Sequence, residues 1–163
     1  MNISNYLLLP IINGALITDL IIISMFLKKK FSSKTLTRLY KTYGLAAVSN
    51  DILILVIGVI ITRYCYSLVF DKYTLIKLIL LAIFVQNVHN YLFYKLNLLI
   101  PPNESNFMDL FKDYFDEHGS IIIIVDTLMI TSTIIIASFL TNYNINTNIN
   151  ILYLTPYLIY SIK

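Results

Sequence analysis

An all-α polytopic membrane bundle is the fold this sequence predicts, and three observations predict it. Hydrophobic residues make up 58% and charged residues only 13% of its 163 residues, with a mean hydropathy of +0.75, whereas soluble domains carry about 25% charged residues. The apolar residues come in long runs of helix length, and about 20 such residues cross a bilayer as a helix. The runs are closed by lysines, by a proline pair and by asparagine-rich stretches, as where a spanning helix meets water. The length suits one bundle of five spans, with four as the alternative, and leaves no room for a separate soluble domain.

Span one is expected over 6–27, with Pro10 in its first turns and Lys28, Lys29 and Lys30 at its end. Its apolar run is too long for a signal peptide and lacks a small-x-small cleavage site, so the span is expected to be retained. The basic linker through Tyr43 carries Leu36, Leu39 and Tyr40 among its charges and reads as a short helix at the lipid surface. Span two, over 44–62, opens at Gly44 and stops before Arg63. Span three, over 74–100, is stopped by Pro101-Pro102, which cannot continue a helix ladder.

The segment 106–118 is amphipathic: Phe107, Leu110, Phe111, Tyr114 and Phe115 recur at helical spacing, and Asp109, Lys112, Asp113, Asp116 and Glu117 fill the other face. It is expected to be an interfacial helix with Asn106 as cap and Gly119 as end, its aromatics in the headgroup boundary and its acidic face toward the basic linker. Span four follows over 120–140. The tail over 144–162 is long enough to cross only if its asparagines are included; a fifth span is expected, with a re-entrant or surface tail as the alternative.

With five spans, Lys28, Lys29, Lys30, Lys34, Arg38, Lys41, Lys95, Lys112 and Lys163 flank one side, against Arg63, Lys72 and Lys77 on the other. The positive-inside rule then sets the N-terminus outside and the C-terminus in the cytoplasm. Basic residues gathered at span ends argue against nucleic acid as a partner. Cys65 is the single cysteine, which excludes an intrachain disulfide and a thiol-pair relay.

Inside the apolar runs lie Asp19, Asp51 and Asp126, one to a span, and span three adds Gln86, His89 and Asn90, with Asn97 on the same stripe. At about 1.5 Å per residue the expected topology puts the carboxylates and the His89-Asn90 pair in one layer roughly 10 to 15 Å from the cytoplasmic side. Ionisable groups at that depth face a bundle interior, a partner or a wet cavity. Three readings are open: interhelical glue, a proton relay or cation site, and a metal-dependent intramembrane enzyme. The chain lacks His-Glu-x-x-His, Gly-x-Gly-Asp and Gly-x-Ser-x-Gly, and no cofactor or metal is expected. His118, in Asp116-Glu117-His118-Gly119, reads as a helix-end residue.

Three segments carry a resemblance. They are Asn50-Asp51-Ile52-Leu53-Ile54 with Arg63-Tyr64 beyond it, Val85-Gln86-Asn87-Val88-His89-Asn90-Tyr91-Leu92-Phe93-Tyr94, and Asp116-Glu117-His118-Gly119 leading into Val125-Asp126-Thr127-Leu128-Met129. Here the chain resembles uncharacterised small multi-span membrane proteins of giant nucleocytoplasmic DNA viruses. The resemblance covers the middle of the chain and implies a virion or host membrane and no established activity. That family's pattern often has an acidic residue after the histidine, where this chain has Asn90.

The resulting expectation is a non-enzymatic structural or interaction component of a membrane. Its partners would be the lipid bilayer and either further copies of itself or other membrane proteins. The alternative is a small proton or cation channel or transporter that uses the intramembrane cluster.

Overall fold

The computed structural model describes residues 8–27 and 33–162, so the expectations on Lys28, Lys29, Lys30 and Lys163 lie outside the described residues. The described chain is helical, in seven pieces: α1 (Leu8–Leu27), α2 (Lys34–Tyr43), α3 (Leu45–Val69), α4 (Leu75–Leu99), α5 (Asn106–His118), α6 (Ile121–Leu140) and α7 (Ile145–Ile162). Four of them, α1, α3, α4 and α6, are long and apolar enough to cross a membrane.

Three boundaries differ from expectation, each for a local reason. Helix α3 continues through Val69 instead of stopping at 62, because Tyr66 is a fully buried anchor. Its hydroxyl donates to the Lys72 carbonyl at 2.8 Å and accepts from the Thr74 N–H at 2.9 Å, tying the turn into α4. Gly44 closes α2 as well as preceding α3: at φ 53° it donates its N–H to the Tyr40 carbonyl. The cap of α5 is Ser105 rather than Asn106, its hydroxyl accepting from the Met108 N–H. Gly119 does end that helix, at φ 50°.

Helix α1 is the hub. Gly14 lets it touch α6 directly, for a Cβ there would sit 2.6 Å from the Thr133 carbonyl oxygen and 3.2 Å from the Ala137 Cβ. One turn along, the Thr133 hydroxyl donates to that of Thr18 at 3.2 Å. On another side of α1, the Asn13 amide donates to the backbone carbonyl of Asn148 at 2.8 Å and to its side-chain oxygen at 3.2 Å. Asn148 also donates to the Leu140 carbonyl at 3.1 Å, beside the Tyr143 N–H that the same oxygen accepts. Further along α7, Ile159 is buried in a cluster with Leu16, Ile23 and Val48. Helix α7 therefore runs parallel to α1. Pro156 lies within it and removes one ladder donor.

The short helices α2 and α5 lie at the end of the bundle where α3 and α6 begin. Leu39, Leu110 and Ala47 share a small core, and Tyr43 meets Phe107 edge to face at 5.2 Å. Phe111 and Phe115 pack on Phe93 of α4. The apolar side of α5 is thus turned onto the bundle, where Leu110 and the rings have protein partners within reach. Outward-facing apolar side chains are plentiful on α4, where Leu80, Phe84 and Leu92 are exposed.

Candidate functional site

Under the α2–α5 cap lies a cavity of about 140 Å³. A water takes about 30 Å³ of liquid volume, so the space admits about five. All six residues of the expected polar layer line it: Asp19 from α1, Asp51 from α3, Gln86, His89 and Asn90 from α4, and Asp126 from α6. Asp19 is fully buried, Asp51 and Asp126 are half-buried, and His89 is exposed. Asn97 is buried farther along α4, outside the cavity lining.

A hydrogen-bonded chain runs along one wall. Gln86 donates to the Asn90 side-chain oxygen at 3.1 Å, and Asn90 donates to the Asp126 carboxylate at 2.7 Å, crossing from α4 to α6. His89 Nδ1 stands 3.4 Å from the same Asn90 oxygen. Asn90 thus uses both ends of its amide, which an ionised carboxylate at that position could not do. Gly58 opens space beside Gln86, whose Oε1 would lie 3.4 Å from an added Cβ.

Two further polar groups enter from the cap. Tyr40 of α2 hydrogen-bonds Asp51, and Tyr114 of α5 joins the lining. Burial first, then the Asp51 and Asp19 charges, pushes the Tyr40 phenol up; burial and the Asp126 and Asp51 charges do the same to Tyr114. Both remain protonated donors near neutral pH. Their signal in the sequence was apolar-face placement in two amphipathic segments, which reads as packing until the cavity below is seen.

The cap is pinned at one corner. Glu117, near the end of α5, accepts from the Lys34 and Thr35 N–H groups at 2.8 Å each and from the Thr35 hydroxyl, so it caps the N-terminus of α2 from another helix. The Thr35 hydroxyl and N–H hold its carboxyl down at about 2, aided by Lys34. His118 Nε2 lies 2.8 Å from the hydroxyl of Ser33, the residue that caps α2 from its own chain. His118 is a helix-end residue whose ring ties two helices. The acidic face of α5 meets the described part of the basic linker through Arg38 and Asp113, 3.2 Å apart and exposed.

Among the described residues no lysine or arginine lines the cavity, and no three His, Cys, Asp or Glu side chains converge as metal ligands. Comparison with known protein families, curated proteins and solved structures finds no match for this chain.

Proposed function

We propose that this chain is a five-span integral membrane protein of a viral or host membrane, N-terminus outside and C-terminus cytoplasmic, holding a chamber for positive charge near its cytoplasmic face. The observation that carries the reading is the meeting of three carboxylates from three helices in one cavity whose described lining has no basic side chain except His89. Like charges in a low-dielectric space repel strongly, so the chamber is neutral only with protons or cations in it. Beyond it the close contact of Gly14 with Thr133 and Ala137 closes the bundle. The chain is therefore a binding chamber in this state rather than an open pore.

The fifth span is supported by α7 lying beside α1 from Asn148 to Ile159; its 18 residues give about 27 Å at 1.5 Å each, close to the hydrocarbon thickness. In this reading α2 and α5 lie at the cytoplasmic interface. The orientation rests on the lysine excess, and predicts that Asn103, in Asn103-Glu104-Ser105, stays unglycosylated in a eukaryotic membrane; efficient glycan addition there would reverse it.

A structural or interaction role is the second reading, favoured by the Asn90–Asp126 bond, which joins two helices as glue does. Reconstituted protein separates the two. Wild type should take up protons or cations on a pH or salt jump, and Asp51→Asn and Asp126→Asn, still folded by circular dichroism, should lose that uptake. Wild type with no uptake across either gradient leaves the structural role.

A further inference from the structure

We propose that the cavity binds an organic ammonium group, held by its carboxylates and by a cluster of aromatic rings on its wall. This rests on reading the cavity as a chamber for positive charge. Four rings carry the step from charge to chemistry: Phe93 of α4 and Phe111, Tyr114 and Phe115 of α5 all line the space. They are contiguous, with centroids 5.2 Å apart for Phe93 and Phe111, 6.3 Å for Phe111 and Tyr114, and 6.4 Å for Tyr114 and Phe115.

A strongly hydrated inorganic ion gains little from such a wall. Among the described residues no set of three carboxylate or imidazole ligands is close enough to replace its water shell. An alkylated ammonium is weakly hydrated, is attracted to ring faces, and takes its countercharge from nearby carboxylates without short ligand bonds. Aromatic rings and carboxylates in one cavity suit that ligand.

The position of His89 marks the entrance. It lines the cavity and is also exposed, and its neighbours Val88 and Leu92 are exposed apolar side chains. The mouth accordingly opens beside a surface made for lipid tails, and the ammonium group can come from a free amine or from the head of a single-chain amphiphile.

Calorimetry on the full chain in nanodiscs tests this with four probes: choline, its uncharged tert-butyl isostere, sodium chloride, and an alkyl trimethylammonium amphiphile. Binding of a charged organic probe is expected, with at least about tenfold weaker binding of the isostere and of sodium. Choline binding alone identifies a free amine, and binding of the amphiphile alone identifies a headgroup. Phe111→Leu with Phe115→Leu keeps apolar volume while removing ring faces, and should weaken binding about tenfold at unchanged helicity; Phe93→Leu, outside the cap, repeats the test if the double variant unfolds. Undiminished binding in folded Leu variants, or equal binding of the isostere, overturns the proposal. If no ammonium binds while carboxylate-dependent proton uptake persists, this inference falls and the chamber stands; if both are absent, both fall.

Discussion

From the first turns of α1 to its middle, polar side chains inside the bundle meet one another directly: Asn13 bonds Asn148, Gly14 removes the space between backbones, and at mid-helix Thr18 bonds Thr133. Where α3 and α6 begin, Asp19, Asp51, His89 and Asp126 face a shared volume instead. The difference teaches that polarity within a membrane bundle is not one signal. Neutral amides and hydroxyls with direct partners fix helix positions, while carboxylates around open volume leave room for something that is not protein.

The two ends should break differently. Gly14→Ala forces a Cβ against the Thr133 backbone, and overpacking of that kind costs about 1–3 kcal/mol; Gly58→Ala beside the cavity meets only side-chain atoms at 3.4 and 3.5 Å and should leave stability nearly unchanged. Denaturant titration in detergent compares them, and equal losses would erase the distinction between a packed end and a roomy one. Asn13→Leu should come next, lowering stability by about 1 kcal/mol as one interhelical pair is lost, with cavity binding retained; a binding defect equal to that of Asp51→Asn would mean that the two ends act as one unit.

The cap gives the smaller effects. Glu117 is held near 2 against an ordinary 4.5, so its ionised form favours the docked cap. That contribution is fully present above about pH 4.5 and is lost as pH falls toward 2. Protease cleavage within 33–44 should rise across that window in wild type, and Glu117→Gln should flatten the dependence. Arg38→Ala should change cleavage least, because exposed ion pairs contribute about 0 to 1 kcal/mol.

The α5 segment was legible over 106–118 because its apolar spacing and terminal glycine are local signals, and the polar layer was legible because a carboxylate in an apolar run is conspicuous. What lay beyond reach was pairing across distance. Nothing near Glu117 announces that its partners are the N–H groups of Lys34 and Thr35, and the tyrosines at 40 and 114 look like any other ring on an amphipathic face. Arg63 suggested a helix end, yet Tyr66 beyond it made a buried anchor worth more than the interruption. Helices can be read from a chain; which sides of them meet cannot.

The central place of α1 also sets an order of assembly. It is synthesised before all its described neighbours, yet Asn13, Gly14 and Thr18 make their contacts with α6 and α7, the last two of the described helices in chain order. Contacts that distant along the chain form late, and polar groups in lipid do not rest unpaired without cost. These contacts of α1 stay unmade while α2, α3, α4 and α5 are added, and they form only when α6 and α7 arrive to cover it.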